Sequence, residues 1–296
     1  MGGALAAEAA MAGHEVHIVD VSTELVEHVT AQGLEIRSAD TSVVGRPYAT
    51  TDAATVGPVD VAVLFVKAQH TRSAAESVKL LRNDDTVVLS LQNGWGNADV
   101  LSEVLGERNL IFGVTYHSCS ILGLGIVNHS GRGETFVGAF EGDDQSSAEI
   151  AAELLRTTGW STTVSAGVRT EIWKKLVLNA ATLPTSALTG LTAGALGDTP
   201  EMAPIIEGLA NEATAVAQSL GLDVDPEERI QRIRATLEGA GSGKPSMLQD
   251  VEARRKTEIE VINSAVVRAG ASTGVPTPLN TLMTGMIVGL EKSWTL

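Results

Sequence analysis

Basic charge, cysteine and aromatic rings are all in short supply, and each shortage closes off a class of function. Lys and Arg number 21 against 36 Asp and Glu, a formal net charge of −15, so the chain has no general means of neutralising a nucleic-acid backbone. A single cysteine, Cys119, excludes an internal disulfide and suits a reducing, cytoplasmic setting. No apolar run approaches the length of a bilayer crossing, so no membrane association is expected. The six histidines are dispersed without ligand spacing, which argues against a metal centre. Aromatics make up only 3% of the chain, so Trp95 and Trp173 stand out where they fall.

What is present is enough for two cores: 296 residues, 44% hydrophobic and 19% charged, is a soluble globular profile. Up to about residue 165 the pattern alternates. Apolar runs at Glu15–Asp20, Val59–Val66, Thr86–Leu91 and Ile111–Thr115 read as strands, and helical stretches at Ser22–Gln32 and His70–Leu81 follow the first two. Near-continuous Val/Ile/Leu runs separated by helices are what a parallel sheet covered on both faces requires. Gly125–Ser130 and Glu134–Phe140 read as further strands, before a helix near Ser146–Thr158 and a strand at Trp160–Ser165. This spacing predicts that antiparallel strands extend the parallel sheet. Beyond Ala166 the helical period takes over, at Arg169–Leu183, Pro204–Leu220, Pro226–Leu237, Ser246–Ala269 and Pro278–Leu290, with breaks expected at Pro184, Gly221, Gly239–Gly243 and Pro276. The expected domains are residues 1–166 and 167–296.

The chain opens on Met1-Gly2-Gly3-Ala4, leading directly into an Ala-rich helix that ends at Gly13-His14, with a strand closing on Asp20 after it. A helix start made of glycine lets a pyrophosphate approach the backbone and meet unpaired N–H groups. Taken alone, Gly2 and Gly3 could equally be a flexible terminus; the helix–strand order that follows gives them meaning. An acidic residue closing the second strand accepts hydrogen bonds from the adenosine ribose, which favours NAD, and no Arg or Lys lies between Asp20 and Gln32 to greet a 2′-phosphate. Asp20 could instead serve the next helix as a cap, although Ser22 is better placed. The fold class expected is α/β: a Rossmann-type doubly wound sheet, its first strand absent from this chain, followed by an all-α domain. Losing a central strand should cost many kcal/mol against a net stability of roughly 5–15 kcal/mol, so translation is expected to start upstream of Met1.

Three stretches carry candidate chemistry. Phe65-Val66-Lys67-Ala68 puts a lysine at the end of a buried strand, and Ser90-Leu91-Gln92-Asn93-Gly94-Trp95-Gly96 puts an Asn-Gly turn at the end of the next. Ligands of open α/β sheets bind outside the carboxyl ends of the strands, where both fall; a solvated edge lysine and an ordinary turn former are the plainer alternatives. In Glu171-Ile172-Trp173-Lys174-Lys175-Leu176-Val177-Leu178-Asn179-Ala180, Lys175 and Asn179 share one helix face. The apolar residues around them make the helix a buried one, and a desolvated ammonium has a lowered pKa suited to proton transfer. A snorkelling structural lysine is the other reading.

With Ser246-Met247-Leu248-Gln249-Asp250 and Lys256-Thr257-Glu258-Ile259-Glu260-Val261-Ile262-Asn263 added, the chain resembles the ketopantoate reductases (2-dehydropantoate 2-reductases) over nearly its whole length. The resemblance implies a Rossmann domain plus a helical domain and NAD(P)H-dependent reduction of a small 2-keto acid, 2-dehydropantoate before others, as in pantothenate biosynthesis. It implies that Lys175 is the general acid and Glu258 its active-site carboxylate. Asn93, Asn179 and Ser246 would meet the substrate, and Gly2, Gly3, Asp20, Lys67 and Asn93 the cofactor. NADP(H) is the cofactor the resemblance implies; Asp20 favours NAD(H). Without the resemblance, Glu258 would pass for a surface carboxylate, given Glu252, Arg254, Arg255, Lys256 and Glu260 around it.

Two further departures affect the substrate. Leu183 and Ala193 stand where the family often has polar amides, which makes the pocket more apolar and can change discrimination by a few kcal/mol. The partners implied are a small 2-keto acid and, at most, a second copy of the chain. The competing classes are a β-hydroxyacid-type dehydrogenase, which the Ser246–Asp250 and Thr257–Glu258 stretches oppose, and a non-catalytic nucleotide-binding protein, motivated by the incomplete glycine loop.

Overall fold

Apolar runs that bury both faces become the strands of the first half. The structure, a computed structural model, describes residues 1–38, 41–140, 142 and 144–295. It forms two units, Met1–Gln92 with Ala98–Val168, and Asn93–Asn97 with Arg169–Leu296.

In chain order the first unit contains α1 (Gly2–Met11), β1 (His17–Val19), α2 (Thr23–Gln32), β2 (Leu34–Arg37), β3 (Ser42–Gly45), β4 (Tyr48–Thr50), β5 (Val61–Leu64), α3 (Thr71–Val78) and β6 (Val87–Ser90). After it come α4 (Asn97–Leu105), β7 (Leu110–Thr115), β8 (Ser118–Gly123), β9 (Ile126–Gly131), β10 (Thr135–Ala139), α5 (Ser146–Thr157) and β11 (Thr162–Val164). Strands β5, β6 and β7 are mutually parallel, β10 runs antiparallel to β7, and β11 parallel to β10, giving the order β11-β10-β7-β6-β5. Every residue of β6 and β7 is buried, as a strand covered on both faces demands. This is the Rossmann-like mixed α/β arrangement that the periodicity predicts.

The antiparallel extension is only half as expected. β10 joins the parallel sheet, whereas β9 turns back on β8 through Leu124-Gly125 and joins a separate sheet of order β3-β2-β9-β8. Gly125 has φ +66°, so the hairpin sets the partner of β9 before the larger sheet can. β1 pairs with β4 alone, and β5 with β6 alone, among the described strands. Helix α1 lies close on the separate sheet: a Cβ on Gly45 of β3 would stand within 2.3 Å of the carbonyl oxygen of Ala7. Only glycine allows that approach. Ser22 caps α2, accepting the N–H of Leu25 at 3.2 Å.

The second unit is helical: α6 (Val168–Thr189), α7 (Ala193–Gly197), α8 (Ala203–Ser219), α9 (Pro226–Glu238), α10 (Ser246–Glu252), α11 (Asn263–Thr273) and α12 (Pro278–Ser293). Trp173, Leu176, Val177 and Ala180 of α6 pack in one core with Leu209 and Ala213 of α8, Ile233 of α9, Met247 of α10 and Ile287 of α12. The stretch 246–269 is not one helix. It breaks after Glu252, where Arg254 takes a positive φ of 48° and the N–H of Arg255 returns to the carbonyl of Asp250, and a 3-10 turn at Ile259–Val261 precedes α11.

Pro184 does not end its helix. It lies inside α6, where its missing N–H strands the carbonyl of Ala180 one turn back. The fully buried Asn263 donates its amide to that carbonyl at 2.9 Å and to Oδ1 of Asn280, also at 2.9 Å. Asn280 passes the relay to Glu212 at 2.8 Å, whose carboxylate also accepts the first N–H groups of α12. Asn263→Ala leaves two buried acceptors without donors and should cost about 3 kcal/mol, read as a lowered urea midpoint with an unchanged slope.

Candidate active site

In the sheet-containing unit, no side chain caps the start of α1, and its first internal bond runs from the N–H of Leu5 to the carbonyl of Met1. The N–H groups of Gly2, Gly3 and Ala4 therefore have no partner within the helix; Gly2 and Gly3 are part-exposed while Ala4 is buried, and such a helix start offers the electrostatics an anionic diphosphate answers. A Cβ on Gly2 would stand 3.2 Å from that of Phe65, so the end of β5 flanks this helix start and Lys67 follows two residues on. Lys67 is half-buried and leads into a short 3-10 turn. Asp20 closes β1; its Oδ1 accepts the N–H of Ser22 at 2.8 Å, and the neighbouring Val21 is 98% exposed. Helix capping falls to Ser22. An uncapped glycine helix start and a carboxylate at the next strand end are the donor and acceptor set a dinucleotide requires.

Gln92, to which its place in the sequence assigns no role, adds a tether at this edge. Its side-chain amide donates to the carbonyl of Val66 at 2.9 Å and to the hydroxyl of Thr71 at 2.8 Å, clamping the loop that carries Lys67 to the end of β6. The signal is a long amide just beyond a buried, largely apolar strand, where its two N–H groups need partners.

In the helical unit, the ammonium of Lys175 donates to Oδ1 of Asn93 at 2.9 Å, although the two stand 82 residues apart in sequence. Asn179 lies one turn along α6 and is buried, and Leu183, 8% exposed, lies one turn further. The Lys175 side chain as a whole is half-buried, but desolvation of its ammonium is the dominant influence on it, and the charge of Glu258 opposes that influence. Together they bring the pKa down to about 8. Glu258 is itself buried, just before the 3-10 turn, and the residue preceding it is fixed: Glu291 of α12 accepts both the N–H and the hydroxyl of Thr257, at 2.8 and 2.6 Å. Ser246 opens α10 and is exposed. The N–H of Ala193 meets the carbonyl of Gly243 at 2.9 Å, so Ala193 lies alongside the segment that leads to Ser246. An ammonium poised near neutral pH, with an amide oxygen on one side and a carboxylate acting on it, can give a proton to a developing alkoxide.

His117 belongs to the core. Its ring stacks on Trp160 at 4.0 Å between centroids, and Nδ1 meets Nε2 of the buried His129 at 2.8 Å. His129 in turn contacts Glu8, a carboxylate inside the otherwise apolar α1, which also accepts from Nε1 of Trp160 at 2.6 Å and from Arg132. Burial alone would raise the Glu8 carboxyl; hydrogen bonds from His129, Trp160 and Arg132 outweigh it and hold the group below its usual range. Burial, then the charges of His129 and Arg132, push His117 down to about 4. Among the described residues no cluster of His, Cys, Asp and Glu is placed to hold a metal ion, and no helix is long and apolar enough to cross a membrane.

Residues 1–142 match the family described as ketopantoate reductase PanE/ApbA, and residues 167–291 match ketopantoate reductase PanE/ApbA C terminal. The chain is 32% identical to the 2-dehydropantoate 2-reductase of Halobacterium salinarum over 272 residues, 91% of this chain and 89% of that protein. It is 31% identical to that of Archaeoglobus fulgidus over 233 residues, 79% and 77% of the two chains. Among solved structures, a D-mandelate dehydrogenase with NADH and anilino(oxo)acetate superposes with a TM-score of 0.95 at 25% identity, covering 100% of this chain and 97% of that one. A PanE/ApbA family ketopantoate reductase from Ralstonia eutropha gives 0.89 at 28% identity, covering 99% and 95%.

Proposed function

Because the chain belongs to the ketopantoate reductase family of oxidoreductases, we propose that it reduces the ketone of a small 2-keto acid to the 2-hydroxy acid, with 2-dehydropantoate as the first substrate to test. The observation that carries this reading is the Lys175 ammonium held on Asn93 with Glu258 acting on it. A nicotinamide dinucleotide, when bound, supplies the hydride that the carbonyl carbon accepts. Charge then grows on the carbonyl oxygen, and Lys175 both stabilises that charge and gives it a proton, leaving a neutral amine that solvent recharges. Asn93 orients the ammonium through its side-chain oxygen. Glu258 keeps it protonated against desolvation, and Asn179 and Ser246 would bind the substrate's polar groups. Gly2, Gly3 and Lys67 would hold the cofactor diphosphate and nicotinamide end, and Asp20 the ribose.

A second reading, a 2-keto acid with a larger apolar side chain, is favoured by Leu183 on the same face of α6 as Lys175 and Asn179, and by Ala193 beside the Ser246 segment. The solved D-mandelate dehydrogenase bears on the same point. Initial rates with 2-dehydropantoate and with benzoylformate, each with NADH and NADPH, separate the two. The expected result is turnover of 2-dehydropantoate with NADH at least as good as NADPH; benzoylformate alone being reduced would transfer the assignment to the second reading. Asp20→Ala should raise the KM for NADH about tenfold, the loss of one hydrogen bond to a charged group, with kcat nearly unchanged. A large NADPH advantage in the unmodified protein removes Asp20 from the ribose.

A further inference from the structure

Residues 93–97 lie in sequence within the sheet-containing half, yet they fold as part of the helical unit. Contacts to Val261, Trp173 and Arg169 hold them there. The N–H of Trp95 donates to the carbonyl of Val261 at 2.8 Å. The Trp95 ring lies 5.5 Å from that of Trp173, a wholly buried residue of α6, with the Arg169 guanidinium 5.5 Å from the Trp95 ring centre. Gly94 has φ +89° and comes so near Val261 that a Cβ would stand 2.3 Å from its carbonyl oxygen. Within the segment, the buried Asn97 donates its amide to the main-chain carbonyl of Asn93 at 2.9 Å, closing the turn.

Val261 ends the 3-10 turn that begins directly after Glu258. The peptide that places Asn93 is therefore fastened to the peptide that places Glu258, and both act on Lys175. Resting on the reductase reading, we propose that Trp95 is a positioning residue: by docking on Val261 and Trp173 it sets Asn93 Oδ1 against the Lys175 ammonium in fixed relation to Glu258. Trp95 needs no contact with substrate to do this. Its ring supplies rigid area at low entropic cost, and the cation over its face adds attraction. Removing the ring frees the turn, and the amide oxygen that the ammonium donates to then wanders. An error of about 1 Å in such a group is enough to cost on the order of a hundredfold in rate.

The test reads Lys175 itself. Competitive acetylation of the full-length protein with trace acetic anhydride, followed by peptide mass spectrometry across the neutral-to-alkaline range, gives the midpoint at which Lys175 becomes nucleophilic. Asn93→Ala and Trp95→Ala should displace that midpoint in the same direction and by matching amounts, and the double variant no further than either single one. Trp95→Phe, which keeps a ring on Trp173, should recover most of the unmodified behaviour. Should Trp95→Ala not fold, Gly94→Ala forces the turn off Val261 and should produce the same displacement. In turnover, kcat should fall at least tenfold in Trp95→Ala with the cofactor KM unchanged. A wild-type midpoint in Trp95→Ala, additive effects in the double variant, or no displacement in Asn93→Ala overturns the proposal. Absence of turnover with any 2-keto acid overturns only the reductase reading, because the acetylation midpoints still decide the role of Trp95.

Discussion

Lys175→Ala should lower kcat by about a thousandfold while leaving the affinity for the nicotinamide nucleotide within a factor of about two. In the proposed reaction the ammonium acts only where negative charge develops, on the oxygen of the ketone, and that charge exists in the transition state and not in the bound cofactor. The pH dependence has a definite sign. A general acid must be protonated, and burial has brought Lys175 down to about 8, so turnover should be level below that pH and fall above it. Lys175→Arg keeps the charge but cannot release its proton, so it should recover little activity. Removing the carboxylate with Glu258→Gln takes away the charge that keeps the ammonium protonated, and the alkaline fall should move to lower pH. Steady-state rates with the substrate established for the enzyme, measured against pH for these variants, check all three. A Lys175→Ala protein with unaltered turnover would take the residue out of the mechanism.

Glu8→Ala should be among the most destabilising single changes in the sheet-containing unit, at about 3–5 kcal/mol, because it strips the acceptor from Trp160, His129 and Arg132 at once. Glu8→Gln keeps the shape and one acceptor oxygen, and should cost roughly half as much. The same cluster sets the acid limit of the fold. His117 is held neutral, with a pKa near 4 against 6.5 in the unfolded chain, so the unfolded state binds the extra proton first. The stability this provides is complete above about pH 6.5 and drains away as pH falls towards 4, by up to about 3 kcal/mol. The Glu8 carboxylate, held below its usual range, adds a second loss at still lower pH. Urea titrations across that range should show the fall, and His117→Phe, which keeps a ring against Trp160 but cannot titrate, should flatten it. A pH-independent midpoint between 6.5 and 4 would show that the His117 proton does not report on folding.

The sequence told most where burial is two-sided. β6 and β7 announce themselves because every position is buried and all but their last residues, Ser90 and Thr115, are apolar or glycine, and Ser22 because a cap is a local event. β2 and β3 are not legible in the sequence because Glu35, Arg37 and Ser42 pair with one another on one face, which reads as a polar loop. Pro184 misled for a different reason: the donor that satisfies the stranded carbonyl, Asn263, lies 83 residues further on. Lys175 and Asn179 could be placed on one face from their spacing, but nothing local pairs Lys175 with Asn93. The clamp made by Gln92 and the latch made by Trp95 are likewise properties of the folded chain, since each joins elements that only the tertiary structure brings into reach.

The five residues from Asn93 to Asn97 also constrain how the molecule can be made and cut. On the ribosome they emerge before any part of the helices they belong to, and they must wait, unseated, while everything from Ala98 to Val168 is synthesised. A fragment starting at Arg169 would carry Lys175 without its amide acceptor and would leave Trp173 bare where Trp95 should lie. Supplying residues 1–168 as a separate polypeptide should restore both, so the helical piece is a natural subject for complementation and a poor one for study in isolation.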